Sequence, residues 1–497
     1  MSTTESSPAK SAPDQNSLPR PSQAKILTVL FVPLFMALLS VSIVNVALPS
    51  IDASLDAGRG ALQWILSGYA LAFGVVLVGA GRAGDLWGRR RLFVAGLSVF
   101  VIGALVSGLA PDILTLNIAR MLTGVGAGIL NPQIIGMIQQ EFEGNARARA
   151  YGIFGAVIGL AVSVGPVIGG FIIDGTSQDL GWRLTFWLNA VVGAVGLILA
   201  LRWLPAEPPV HISHGFRKLD PIGATLLGLA VLGILLPASG NNPVLWLLAL
   251  GALVLLGMWI WWENRLTIEH RRNPDSGNQP MVDMRLFAIP SYTIGTANVA
   301  LYLGGMTSIW AVVAIFAQQG LGEPALVAGL LGLPSAVCVV IISPILGKYA
   351  YTHGKAIVLG GVVISLFSLF ISALLAPQIA AGQLSVWWLS ATTAPIGFGQ
   401  AMVLNTSQTL LMAEVPVELA GAAGGFSQTM QRVFTSLGLM FITGLFFATA
   451  TATGDWGQAM NLAFFATLGF WVITAVLSGY DLWARPKTRL PNDAAGL

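Results

Sequence analysis

Fourteen runs of about twenty mostly apolar residues follow one another along the chain, and a run of that length and polarity is the signature of a transmembrane helix. They cover 26–49, 61–82, 92–110, 113–140, 149–173, 182–204, 220–240, 243–263, 291–318, 325–350, 355–376, 385–413, 420–448 and 457–484. Charged residues make up 9 % of the chain and hydrophobic ones 55 %, whereas soluble domains carry about a quarter charged residues. No single core could bury so much apolar surface, so the bilayer is the solvent that fits. The 58 glycines and 26 prolines agree with this. In membrane bundles Gly lets helices approach closely, and neighbouring groups satisfy the backbone that Pro frees. The expected fold is therefore an all-α membrane protein with fourteen spans.

The loops orient these spans. Residues 1–25 are rich in Ser, Pro and Gln and read as a disordered tail, not as a cleaved signal. With that tail in the cytoplasm, 21 of the 25 Lys and Arg fall on the cytoplasmic side. The other side holds Arg59 and Arg183, and Arg120 and Arg432 lie inside spans. Cytoplasmic loops carry the excess of Lys and Arg, so both termini, including the tail 485–497, are expected inside. The longest polar stretches, 205–219 and 264–290, flank the pair 220–240 and 243–263, which Ser239-Gly240-Asn241-Asn242-Pro243 joins as a tight hairpin. The layout is a six-helix bundle (26–204), a linker with a two-helix insert (205–290, insert 220–263) and a second six-helix bundle (291–484). Two such halves with a site between them suit a secondary transporter.

After the second span the chain reads Gly81-Arg82-Ala83-Gly84-Asp85-Leu86-Trp87-Gly88-Arg89-Arg90-Arg91. Gly permits a tight turn, Asp85 is suited to cap the following helix, and the arginines anchor at an anionic leaflet. A merely basic loop would need the arginines but not the spacing of Gly81, Gly84, Asp85 and Gly88. In span four, Arg120, Gly124, Gly128 and Asn131 share a face. Span five carries Gly155, Gly159, Ser163, Pro166 and Gly170, a small-residue surface along which helices can pivot. An intramembrane Arg costs about 2.5–3.5 kcal/mol on insertion scales, so Arg120 and Arg432 are expected to have a use. Helical rise puts Arg120 about 12 Å from the outer end of its span and Arg432 about 20 Å from the inner end of its own, at similar depth. Gln428 shares the face of Arg432.

These motifs resemble the major facilitator superfamily, whose loop between spans two and three has the Gly81–Arg91 pattern. Leu116-x-x-x-Arg120-x-x-Thr123-Gly124-x-Gly126-Ala127 is similar to its fourth-span arginine motif. Gly165-Pro166-Val167-Ile168-Gly169-Gly170 is similar to its antiporter motif. With Val44-Asn45-Val46-Ala47-Leu48-Pro49, Gln63-Trp64, Tyr69, Gly181-Trp182-Arg183 and Asn189, the chain resembles the fourteen-spanner drug:proton antiporter branch. The resemblance implies a bacterial inner-membrane exporter of small-molecule substrates, monomeric and proton-coupled. One departure stands out, because the first span of that branch carries Asp where this chain has Ser40 in Leu39-Ser40-Val41-Ser42. No carboxylate or His sits at a span centre. Glu141, Asp174, Asp220, Glu263, Glu414, Glu418 and Asp481 lie at span ends, so either Asp85 or one of these carries a proton, or coupling is unusual or absent. A positive midplane suits neutral or anionic amphiphiles. Polar and aromatic candidates for contact with substrate are Asn45, Trp64, Tyr69, Asn298, Tyr302, Trp310, Gln318, Asn405 and Gln408. Trp259, Trp261 and Trp262 read as an interfacial belt.

Other classes fit poorly. No phosphate loop ending in Gly-Lys-Ser/Thr exists for an ATP-driven pump, and no intramembrane catalytic or metal-ligating cluster exists for an enzyme. The lone Cys338 permits no internal disulfide. Neither a cofactor, a metal nor a nucleic-acid partner is expected. The expected alternative to drug export is a carrier dedicated to one metabolite or organic anion.

Overall fold

The computed structural model of the chain describes residues 22–205, 219–236, 245–273, 279–346 and 349–485. The described residues are almost wholly helical: α1 (Gln23–Leu55), α2 (Gly58–Trp87), α3 (Arg89–Leu109), α4 (Ile113–Glu141), α5 (Gly144–Asp174), α6 (Gln178–Trp203), α7 (Pro221–Leu235) and α8 (Leu245–Arg272) come first. Then follow α9 (Pro290–Ile315), α10 (Ala325–Leu331), α11 (Leu333–Leu346), α12 (Ala350–Ala380), α13 (Trp387–Leu411), α14 (Ala420–Thr453) and α15 (Trp456–Ala484). A π-helical turn at Phe316–Gly320 ends α9, and Gly332 separates α10 from α11. Each apolar run of the sequence thus coincides with one helix or, for 325–350, with a broken one. Eleven stretches among the described residues are long and apolar enough to cross a membrane. The remaining runs belong to α5, α7 and α13. The turn 237–244 and most of the linker 205–219 lie outside the described residues. The polar stretch after the insert is shorter than its composition suggests, because α8 continues to Arg272.

Side chains begin several helices. Asp112 accepts the Thr115 backbone N–H (2.8 Å), and Asp455 accepts those of Gly457 (2.8 Å) and Gln458 (3.0 Å). Each satisfies donors that a helix start leaves open. Helices α1–α6 pack together, α3 against α4 and α6, and α1 against α5 and α6; α9–α15 pack in the corresponding way, α12 against α13 and α15. The two groups meet along α2–α14 on one side and α5–α11 on the other. Helix α8 is anchored to the body by Trp259, which stacks on Phe426 of α14 at 5.8 Å, and Trp262 donates to both Asp220 oxygens (2.9 and 3.0 Å). The tryptophan cluster is therefore not a lipid-facing belt. Trp259 is fully buried and Trp261 is the exposed member, because helical spacing sends adjacent residues to different faces.

Close packing depends on glycine. A Cβ at Gly126 of α4 would lie 2.4 Å from the Phe100 backbone nitrogen of α3, whereas one at Gly479 would meet nothing within 4 Å. Replacing Gly126 by Ala must push two backbones apart, so it should destabilise the protein by about 1–3 kcal/mol. Thermal unfolding in detergent checks this, with Gly479→Ala expected to be neutral.

Candidate functional site

The signature loop ties the two groups of helices together at one end of the molecule. Gly88, at φ 100°, makes the turn between α2 and α3, a conformation that other residues rarely adopt. Asp85 does not cap α3, whose N-cap has no side-chain hydrogen bond. Its two carboxylate oxygens instead accept the backbone N–H groups of Gly421 (3.0 Å) and Ala422 (2.9 Å), the first residues after Ala420 in α14. It caps a helix of the other group, where exposed N–H groups and the helix dipole favour an anion. Arg89 completes the arrangement. It pairs with Asp85 (2.9 Å), donates to the Gly136 carbonyl (2.6 Å) and Gln140 (3.2 Å) of α4, and donates to the Val417 carbonyl across the interface. Gln139 of α4 adds a bond to the Met412 carbonyl (2.5 Å).

The loop glycines allow this contact. A Cβ on Gly81 would come within 2.2 Å of the Gly421 carbonyl, and one on Gly84 within 1.8 Å of the Gln133 side chain. Arg82 donates to Gln279 (2.7 Å), in the segment that leads from the insert into α9, and Arg90 donates to the Leu201 carbonyl of α6 (3.0 Å). In that segment burial pushes the Asp283 carboxyl up, but bonds from the Arg285 guanidinium and backbone N–H outweigh it and leave it below the usual range.

Deeper in the bundle, two arginines and two rings of α2 form a column across the same interface. Arg120 is 1 % exposed. It donates to the Ile65 carbonyl (3.3 Å) and to Ser40 Oγ (3.0 Å), and its guanidinium lies 4.5 Å from the Tyr69 ring. Tyr69 stacks on Phe73, one turn further along α2, at 6.2 Å, and the Arg432 guanidinium lies 4.8 Å from Phe73. Cation–π contacts of this kind gain strength when desolvated, to about 2 kcal/mol. Among the described residues neither arginine makes an ion pair, and Arg120 Nη2 has no hydrogen-bond partner. Ser40, standing where the resembling branch has Asp, is thus a ligand of Arg120. Asn131 accepts from Gln428 (2.8 Å) at the same interface.

The other sequence candidates are dispersed. In the glycine-rich segment 165–170 a Cβ at Gly165 or Gly169 would press on α1, at Ser42 (2.6 Å) and Ile43 (2.7 Å), while Gly170 faces open space. Gly155 abuts Asn405 of α13, which donates to Ser343 of α11 (2.7 Å). Tyr302 lies inside the second group, bonded to Ser365 (2.8 Å) and stacked on Trp471. Trp310 packs beside Gly332, Asn298 and Gln408 are buried, and Trp64 and Gln318 are exposed. The side chains of Asn45 and Pro166 lie outside the described residues. Phe73 and Gln139 escaped sequence reading. Phe73 follows Tyr69 at helical spacing, a signal that was available, whereas the partner of Gln139 is a backbone carbonyl that no side-chain pattern marks.

Two packed groups of spanning helices, latched at one end and joined deeper by polar contacts, define a multi-pass membrane transporter. The model of the Major Facilitator Superfamily matches residues 30–221 and 219–439. The chain belongs to that superfamily. It is 29 % identical over 84 % of its length to the multidrug resistance protein Stp of Mycobacterium tuberculosis, of which 75 % is covered. It is 30 % identical to the probable actinorhodin transporter of Streptomyces coelicolor, with 85 % of this chain and 73 % of that one covered. It is also 30 % identical to the cephamycin export protein CmcT of Amycolatopsis lactamdurans, over 86 % and 85 %. Among solved structures, the proton:xylose symporter XylE is similar at a TM-score of 0.66 and 14 % identity, covering 95 % of this chain and 98 % of that one.

Replacing Asp85 by Asn removes the ion pair and at least one of the two helix-capping bonds. It should favour separation of the loop ends by about 2 kcal/mol, roughly a 30-fold change in population. Distances between spin labels at the loop ends of α4 and α13 check this; an unchanged distribution would mean that Asp85 does not hold the halves together.

Proposed function

We propose that this transporter exports small amphiphilic organic compounds, driven by protons, by alternating access between the halves 26–204 and 291–484. In this reading there are fourteen spans, with α5, α7 and α13 added to the eleven, and residues 220–263 are an insert outside the transport bundle. The signature loop and both termini face the cytoplasm of a bacterium, and the protein works as a monomer. The observation that carries the reading is the latch. Bonds to Asp85, Arg89 and Gln139 join the halves at the signature-loop end, and breaking them is what exposes the interface to that side. Loading from the cytoplasm would need the latch open, and release to the outside would need it closed. The names of three relatives, a multidrug resistance protein, a probable antibiotic transporter and an antibiotic exporter, support the direction and the kind of solute.

The arginine column favours organic anions or neutral amphiphiles over lipophilic cations. A second reading, a carrier dedicated to one such metabolite, rests on the same feature: Arg120 and Arg432 are without ion-pair partners among the described residues. In the anion reading, Tyr69 and Phe73 offer flat apolar surfaces and the two guanidinium groups offer charge.

Dye efflux from cells expressing the protein tests both. Export of an anionic dye that stops when an uncoupler is added is the expected result. Ser40→Asp should neutralise Arg120 and move preference toward a cationic dye by about tenfold or more, the effect of about 1.4 kcal/mol. Uncoupler-sensitive export of cationic dyes alone by the unmodified protein would overturn the anion preference. Export that ignores the uncoupler would overturn proton drive.

A further inference from the structure

Helix α7 does not close fully on α2. Between them lies a groove of about 430 Å³, within the range of small-ligand pockets, about 300–1,000 Å³. Val75, Val78 and Gly79 of α2 form one wall, at the spacing of a single helix face. Ala224 and Leu229 of α7 stand opposite, and Met281, from the segment that leads to α9, adds a further apolar side chain. The one polar side chain of the lining among the described residues is Thr225, whose hydroxyl already donates to the Pro221 carbonyl (2.7 Å). The groove therefore offers apolar contact and leaves no hydrogen bond to be made. Its rim residues Val75 and Leu229 are exposed, and its α2 wall lies within Trp64–Trp87, a stretch long and apolar enough to cross a membrane.

Gly79 keeps this space open. A Cβ at Gly68, Gly74, Gly81 or Gly84 of α2 would come within 3.3 Å of a neighbour, whereas one at Gly79 would meet nothing within 4 Å. Packing of the protein against itself explains the other four glycines and not this one. Helix α7 meets α2 directly at Gly74, where a Cβ would lie 3.3 Å from Leu235, and at Gly228, where one would lie 3.2 Å from Val75. The groove is also continuous with the interface between the halves, because a Cβ at Gly425 of α14 would lie 3.1 Å from the Cα of Val78. An apolar wall without neighbours forfeits dispersion contacts, and in a bilayer the medium at hand is itself hydrocarbon. We propose that the groove is a binding site for one bilayer lipid, held by an acyl chain, and that this chain completes the packing of the insert on the first half. The insert then touches the second half directly, through Trp259 on Phe426, and the first half partly through lipid. The proposal goes beyond the export reading and needs only that α2 and α7 lie in the bilayer.

The test is native mass spectrometry of the full chain released from nanodiscs of phosphatidylcholine, and separately of phosphatidylglycerol. One phospholipid should stay on each chain with either headgroup, since no charged side chain lines the groove. Gly79→Leu fills the groove from the α2 side and should lose that lipid. Gly479→Leu adds the same side chain where a Cβ also meets nothing within 4 Å, and it should keep the lipid. Should Gly79→Leu fail to fold, Ala224→Leu fills the groove from the opposite wall and carries the same expectation. After delipidation, added phosphatidylcholine should raise the unfolding midpoint of the wild type by a few degrees and leave that of Gly79→Leu unmoved. A wild type that retains no lipid, or a Gly79→Leu variant that retains as much as the wild type, would overturn the site. Retention of phosphatidylglycerol alone would mean that a headgroup is recognised, and displacement of the lipid by a transported dye would make the groove a solute site; either result overturns the acyl-chain assignment. A chain that holds the lipid but exports no dye would leave the site standing and overturn the export reading instead.

Discussion

Asp85 carries the contact on which the rest of the arrangement depends. A carboxylate with 1 % of its side chain exposed could not remain charged between helices without several partners. It has three partners: a guanidinium from its own half and two backbone N–H groups from the other half. Capping α14 with a side chain from α2 makes the start of one half's helix complete only when the two halves are together. The bonds are charge-assisted and therefore strong, yet they are few and lie at one end. That combination suits a joint that must hold and also release.

The arginine column is built differently. Its members meet through ring faces and neutral acceptors, with no carboxylate to neutralise either cation among the described residues. Tyr69 and Phe73 belong to α2, so the helix that carries the latch also carries the rings between Arg120 and Arg432. A shift of α2 relative to α14 would alter both at once.

Much of this was legible in the residue string. The positions of the helices followed from runs of apolar residues, and the glycine spacing of the signature loop followed from the need for a turn and a close approach. Arg120 stood out because a charge inside an apolar run is expensive. Less legible were the partners. Asp85 reads as a cap for the next helix, since the sequence shows only its neighbours along the chain, and it proved to cap one more than three hundred residues away. The tryptophans at 259–262 read as an interfacial belt, and packing against Phe426 and Asp220 turned two of the three inward.

The sequence by itself determined that the chain lives in a membrane, where its helices run and which rare residues are held inside them. Apolar length, backbone hydrogen bonding and the cost of buried charge act locally and leave their mark on the string. Only the tertiary structure decided which charges meet. It joined Asp85 to Gly421 and Ala422 and set Ser40 against Arg120. Those pairings depend on which faces of distant helices come together, and helix–helix contact is made largely by backbone and small residues whose partners no periodicity names.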